Sequence, residues 1–278
     1  MNINHSASPP ARLGSASSQL SRLGRAVRSS TFIVTYFLYL TLVMGSGQRL
    51  LIWPAITLFP RRRREIIRAW LSIQARATLA IARRLAGVRV SVRGAIPPEA
   101  CIVVMNHQSV LDIPLGIALV PGPYPLIPTR DRYSRGLPGI SPLARLARFP
   151  FVSQGRTATR AELLAIRDAA DQVARGEQSL IIYPEGHRTH DGLIADFMKP
   201  GLKLILSRAR HPIYCIVADG MWHARTFADA ALRFAGTSVR VTVLGPFQVP
   251  EPKQIDSFID ELRNRMIEAL AQIRMEAE

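Results

Sequence analysis

Acidic residues are nearly missing from the first third of the chain. Residues 1–98 hold 15 Lys/Arg and one acid, Glu65, whereas 99–278 hold 21 Lys/Arg and 19 Asp/Glu, so the net charge of +16 is an N-terminal property. A nucleic-acid-binding domain sets its basic residues on the folded body and interleaves aromatics. Here they flank the most apolar stretch, which points to an anionic membrane surface and to no nucleic acid among the partners. Cysteine is equally scarce: Cys101 and Cys215 cannot build a disulfide scaffold or a four-cysteine zinc site, and both sit in apolar strand-like runs as expected for buried thiols. There is no G-x-S-x-G elbow to present a nucleophilic serine. No apolar run reaches the roughly 20 residues of a full membrane span. A hydrophobic content of 48% in turn excludes a disordered chain.

What the N-terminus does contain is a graded approach to a membrane. Residues 1–30, rich in Ser, Ala and Arg and free of acids, read as a disordered basic leader. Between Thr31 and Pro60 two apolar runs flank Gly45-Ser46-Gly47-Gln48-Arg49. Arg22, Arg25 and Arg28 precede the pair and Arg61 to Arg64 follow it, which puts both ends on the cytoplasmic side, as in a re-entrant or interfacial hairpin turning at 45–49. A single tilted span is the competing reading. From Glu65 to Ala86, Ile66, Ile67, Trp70, Ile73, Ala77, Ile81 and Leu85 share one helical face, with Arg68, Arg76 and Arg83 on another. Residues 31–86 are therefore expected to be a membrane-associated hairpin and amphipathic helix that anchors the protein and stands outside the active site.

After Gly87 the pattern changes to short apolar runs at 88–92, 101–105, 124–127, 149–152, 179–183, 213–218 and 239–244, with helical segments at 158–175, 201–210 and 255–275. The alternation predicts an α/β body over 87–278, a mixed, mostly parallel sheet flanked by helices.

Two strand ends carry the candidate chemistry. The run CIVVM is followed by Asn106-His107-Gln108-Ser109-Val110-Leu111-Asp112. Residues five apart lie about 140° apart on a helix, so His107 must sit in a turn before a helix that starts near Asp112, as Pro114 in its first turn also requires. Asp112 then accepts from one imidazole nitrogen and leaves the other as a general base. The run SLIIY is followed by Tyr183-Pro184-Glu185-Gly186-His187-Arg188, an acid and an arginine beside a glycine, suited to gripping a polar head group. His187, His190 and Asp191 alone are too few for a metal site, and none is expected. Ser109 reads as a cap or turn residue.

Together these segments resemble the glycerolipid acyltransferases of the lysophosphatidate acyltransferase family. NHQSVLD is similar to the family's NHxxxxD motif, YPEGHR to its F/Y-P-E-G-T-R-S motif, and Phe197-Met198-Lys199-Pro200-Gly201 to the FKxG segment beyond it. The likeness covers roughly residues 85–245. It implies His107 as base and Asp112 as its orienter, with Arg156, Glu185, Gly186 and Arg188 in the acceptor site and Asn106, Ser109, Gln154 and Lys199 in support. The chain departs from the pattern at three places: Gln154 stands where an arginine is usual, with Arg156 two residues on; His187 replaces a threonine; Cys215 replaces the second proline of an apolar strand. The implied reaction is transfer of a fatty acyl group from acyl-CoA or acyl-carrier protein to the hydroxyl of a lysophospholipid, 1-acylglycerol 3-phosphate first, at the cytoplasmic face of the inner (plasma) membrane, with no cofactor. A different lysolipid acceptor, such as a lyso-ornithine lipid, or a non-catalytic lipid-binding protein on the same fold, stays open at this point.

Overall fold

In the computed structural model, which describes residues 13–153 and 159–276, the chain stays helical from Leu13 to Leu58. This first run is α1 (Leu13–Leu38), two π-helical stretches (Tyr39–Gly45 and Gln48–Ile52) and α2 (Trp53–Leu58). Its buried side chains recur every fourth residue: Phe32, Tyr36, Leu40, Met44, Gln48, Ile52 and Ile56. On a regular α-helix such a repeat drifts by about 40° per step, about 240° in six steps. The wider i→i+5 turns take up that drift and keep the stripe facing inward. They also accommodate Pro54, which has no N–H to offer and would crowd the carbonyl one turn back.

The expected turn at Gly45–Arg49 is therefore corrected. Gly47 is helical and packs against the Trp70 ring, which occupies the space a side chain would need, 2.6 Å from where a Cβ would stand. Gln48 is held by its Nε2, which donates to the Gly139 carbonyl at 2.9 Å. The reversal falls instead at Phe59–Arg62, where Phe59 leaves the helical region and Pro60 opens a 3-10 turn. The chain then returns as α3 (Arg63–Ile81) and a π-helical stretch (Ala82–Ala86), stopped by Gly87 at φ +67°. A two-helix hairpin does exist, with arms 13–58 and 63–86. The segment Ser21–Leu58 is long and apolar enough to cross a membrane by length and composition. Leu42, Leu50, Leu51, Trp53 and Leu58 are each more than 60% exposed along it.

The α/β body follows as β1 (Arg89–Arg93), β2 (Ile102–Met105), α4 (Asp112–Leu119), β3 (Pro125–Leu126), β4 (Thr129–Arg130), α5 (Ile140–Leu146), β5 (Phe151–Val152), α6 (Arg160–Ala174), β6 (Ser179–Ile182), α7 (Lys199–Arg208), β7 (Ile213–Asp219), α8 (Phe227–Arg233), β8 (Ser238–Phe247) and α9 (Ile255–Met275). Six strands form one sheet in the order β1-β8-β7-β2-β6-β3, parallel throughout except for the antiparallel β7–β8 pair, while β4 and β5 pair apart from it. This is the mixed, mostly parallel sheet that the sequence predicts. The central strands β2, β6 and β7 are buried along their whole length, as expected where helices cover both faces. Thr159 and Glu162 close a capping box at the start of α6, and Thr226 and Asp229 do the same for α8.

The hairpin is part of the same core. Phe32 meets Phe234 at 5.0 Å between ring centroids, Phe37 meets Phe227 at 5.2 Å, and Ile67 and Leu71 are fully buried. Each such side chain contributes roughly 1.5–3 kcal/mol of burial, so the arms are held firmly on the body. Cys101 and Cys215 are free and buried, and burial pushes their thiols up to about 11 and about 12, which leaves them inert.

Candidate active site

Because β2, β6 and β7 run parallel, with Val104 opposite both Ile182 and Cys215, their carboxyl ends open on one edge of the sheet. That register brings together two loops almost 80 residues apart in sequence. Asn106 ties the first loop to β7 with two bonds: its Nδ2 donates to the Ala218 carbonyl at 2.9 Å and its Oδ1 accepts from the Ala218 amide at 2.8 Å. Gln108 extends the clamp, donating to Asp219 Oδ1 at 3.1 Å and accepting from the Met221 amide at 3.1 Å. Arg274 on α9 holds Asp219 in turn, at 2.9 Å.

Between these clamps His107 Nδ1 lies 2.7 Å from Asp112 Oδ2. The same oxygen accepts the Gln108 amide at 2.6 Å and the Ser109 amide at 2.7 Å. An oxygen already surrounded by two N–H donors has only acceptor capacity to offer the ring, so the imidazole proton belongs on Nδ1 and the Nε2 lone pair is free. Asp112 is fully buried and opens α4, and its second oxygen, Oδ1, has no hydrogen-bond partner among the described residues. Tyr183 packs its ring 4.4 Å from that of His107. Burial first, and the Asp112 charge second, hold the Tyr183 phenol well above its usual range, so it stays protonated.

Glu185 is not on the wall of the site, where the sequence reading put it. It is 2% exposed and spends both oxygens on main-chain amides, Oε1 on His107 at 2.7 Å and Oε2 on Ala195 at 2.9 Å. Burial pushes its carboxyl up to about 7, against the pull of the Ala195 and His107 amides. Glu185 thus bolts the second loop to the first. The Thr189 amide completes the seam by donating to the His107 carbonyl at 2.8 Å. Gly186 sits at φ +69°, a region favoured by glycine, with Met198 where a side chain would project, and its carbonyl accepts from Arg130 at 2.8 Å.

Arg188 does reach the site. It lines the same cavity as His107 and donates to the Arg225 carbonyl and, at 3.4 Å, to the Tyr133 hydroxyl. Lys199 does not: it pairs with Asp260 on α9 at 2.6 Å, on the exposed surface, because α7 turns its first residue toward that helix. Ser109 donates its hydroxyl to the Ala224 carbonyl at 2.8 Å and is a loop clamp. Gln154 and Arg156 lie outside the described residues. In the second loop Asp191 accepts from Thr189 and Leu193, and His190 meets Arg225. Among the described residues no three His, Cys, Asp or Glu side chains are grouped to hold a metal.

The cavity at His107 has a volume of about 150 Å³ and apolar walls. One wall is α4 and α5, through Ile113, Leu143 and their neighbours, and the other is the hairpin, through Tyr36, Met44, Leu71, Gln74, Ala75 and Thr78. The expectation that residues 31–86 stand outside the site is thereby corrected: the inward stripe of the hairpin is a wall of it. The sequence also gave no sign of Arg274 or Arg130, whose partners are remote in the chain.

The acyltransferase family model matches residues 87–219, which include both strand-end loops. Over 194 residues the chain is 28% identical to the 1-acyl-sn-glycerol-3-phosphate acyltransferase alpha of Ovis aries and to that of Homo sapiens; this covers 68% of the chain, which spans 65% and 66% of those relatives. The crystal structure of the 1-acyl-sn-glycerophosphate acyltransferase PlsC from Thermotoga maritima shares the fold, with a TM-score of 0.61 at 19% identity, covering 91% of this chain and 97% of that one. The stretch similar to the acyltransferase family model thus holds His107 and Arg188, which meet at the cavity, and Asp112, the partner of His107.

Proposed function

We propose that the protein transfers a fatty acyl group from an acyl thioester, carried on CoA or acyl-carrier protein, to the free hydroxyl of a lysophospholipid, with 1-acylglycerol 3-phosphate as the leading acceptor and phosphatidate as product. The observation that carries this reading is the pair His107–Asp112 at one end of an apolar cavity that also receives Arg188. Agreement with the relatives' names supports the choice of acceptor.

The chemistry follows from the geometry. His107 Nε2 takes the hydroxyl proton as the acceptor oxygen attacks the thioester carbonyl. Asp112 keeps the ring in the productive tautomer and stabilises the imidazolium. Collapse of the tetrahedral intermediate expels the thiolate, which recovers the proton from His107, so ester and thiol are the products and no acyl-enzyme forms. Arg188 supplies a charge-assisted contact to the acceptor's anionic head group, with Arg156 as a second candidate from the sequence. The acyl chain enters between hairpin and body. A cavity of about 150 Å³ compares with one that holds a single benzene, so it receives a segment of a long chain while the rest leaves along the exposed apolar side of the hairpin. That path suits an enzyme working at a membrane, and the arginines on either side of Thr31–Pro60 support the cytoplasmic face of the inner membrane.

The test is acyl transfer by the purified protein with acyl-CoA and acyl-carrier-protein donors against a panel of lysolipids: 1-acylglycerol 3-phosphate, lysophosphatidylethanolamine, lysophosphatidylglycerol and a lyso-ornithine lipid. The reading expects ester formation, fastest with 1-acylglycerol 3-phosphate. Thioester hydrolysis without transfer, or no turnover with any acceptor, contradicts it.

A further inference from the structure

Helix α5 separates two cavities. Ile140, Leu143 and Ala144 face the His107 cavity, whereas Pro142, Arg145 and Leu146 face a second one of about 570 Å³, and no residue lines both. The far side of the second cavity is the hairpin, contributing Gln48, Arg49, Trp53 and Arg63.

Among the described residues three guanidinium groups, Arg49, Arg63 and Arg145, line this space, and no carboxylate does. Arg63 donates to the Leu146 carbonyl at 2.8 Å and Arg145 to the Ser134 carbonyl, which fixes the side chains without neutralising them. The Arg49 guanidinium has no hydrogen bond or ion pair among the described residues and is exposed. Three like charges around one cavity repel unless an anion joins them, and the planar fork of arginine fits phosphate oxygens. A second observation is Gln48, which is 4% exposed. Its Nε2 is bound to the Gly139 carbonyl at 2.9 Å, which fixes the amide orientation, and its Oε1 is buried with no partner among the described residues. That oxygen is an acceptor in need of a hydroxyl. The third observation is the rim: Trp53 lines the cavity and is 63% exposed, next to Leu50 and Leu51 at 72% and 63%. A ligand seated here has an apolar surface along which to lay hydrocarbon.

We propose that this cavity is a binding site for the head group of an anionic glycerophospholipid, its phosphate among Arg49, Arg63 and Arg145 and a head-group hydroxyl on Gln48. The site is distinct from the His107 cavity and the proposal does not rest on the acyl-transfer reading. Bound lipid would fix the hairpin against α5 and so set the height of the enzyme at the membrane. Inorganic phosphate shares the anion chemistry but not the hydrocarbon, so it is the competing occupant.

The experiment is calorimetric titration of the purified full-length protein with dihexanoyl phosphatidylglycerol, dihexanoyl phosphatidylcholine and inorganic phosphate, below any micelle-forming concentration, where no surface potential exists. Saturable binding is expected, tightest for phosphatidylglycerol. Arg49→Gln/Arg145→Gln should weaken it by about 100-fold, from about a factor of ten per arginine for a charge-assisted contact to phosphate. Arg61→Gln/Arg62→Gln, which removes the same charge just outside the cavity, should leave it within about twofold. Arg49→Gln alone keeps the test decisive should the double variant fold poorly, since the Arg49 guanidinium has no polar partner among the described residues, and it should cost about tenfold. Equal weakening by both double variants, unchanged binding in the Arg49→Gln protein, or inorganic phosphate binding as tightly as the lipid would overturn the proposal.

Discussion

Replacing Asp112 by Asn changes one atom and removes one charge at a point where three hydrogen bonds converge. Oδ2 receives His107 Nδ1, the Gln108 amide and the Ser109 amide, all within 2.7 Å, on a side chain with no exposure. The asparagine oxygen can take over all three, but as a neutral acceptor. A charge-assisted bond contributes about 1.5–3 kcal/mol and a neutral one about 0.5–1.5, so each amide loses about 1 kcal/mol and the pair about 2. The new NH2 occupies the place of Oδ1, which has no partner among the described residues to begin with, so it adds little to the loss. Melting should fall by about 4–8 °C. The rate should fall much further, by about 1,000- to 10,000-fold in kcat, because a neutral amide neither fixes the tautomer firmly nor stabilises the imidazolium. KM for donor and acceptor should hardly move, since the cavity walls and Arg188 are untouched. The assay is initial-rate acyl transfer at least 15 °C below the variant's melting midpoint. A folded Asp112→Asn enzyme within threefold of the wild-type kcat would refute the reasoning and leave Asp112 a structural clamp only.

Glu185 offers a pH test. Its folded value is raised from 4.5 to about 7, so the stability it contributes is fully present below about pH 4.5 and is lost as pH rises through 7, an effect of roughly 3 kcal/mol. In Glu185→Gln one amide donor faces a main-chain N–H at every pH, so the variant is less stable throughout, but its gap to wild type should narrow between pH 5 and 8; parallel melting curves would exclude the titration. Ala75→Phe fills the cavity from its hairpin wall, and should shift preference to shorter acyl donors with little change in acceptor KM; an unchanged chain-length profile would remove the hairpin from the acyl path. Lys199→Ala breaks only an exposed pair with Asp260 and should leave kcat and KM within twofold, while a large loss would restore the residue to the site.

The parts of the site that the sequence made legible are those with short-range causes. His107 and Asp112 are five residues apart across a strand end and a helix start, and the proline two residues into α4 marks where that start must be. The parallel sheet was legible for the same reason, since its strands are short β-branched runs between amphipathic helices. Glu185 was misread because its partners, the amides of His107 and Ala195, are supplied by register rather than by neighbours in sequence. Lys199 was misread because only the packing of α7 on α9 decides which way it faces. The hairpin was read too locally: Gly45-Ser46-Gly47 has the composition of a turn, yet Trp70 against Gly47 and the Gln48 bond to Gly139 outweigh that weak preference. The four-residue stripe from Phe32 to Ile56 was the visible signal that this segment packs on the body, and it matches no regular α-helical period, which is why π-helical turns accompany it.

The central claim is that His107 is the base for acyl transfer. It is tested most directly by the initial rate of ester formation from an acyl thioester and 1-acylglycerol 3-phosphate in His107→Ala, measured beside the melting temperature. His107→Ala is expected to lose about 100-fold to 10,000-fold in rate, with only a modest fall in melting temperature from the lost Tyr183 ring contact and Asp112 hydrogen bond, because the main-chain bonds of the loop to Glu185 and Thr189 remain. A well-folded His107→Ala protein that forms ester at the wild-type rate would contradict it.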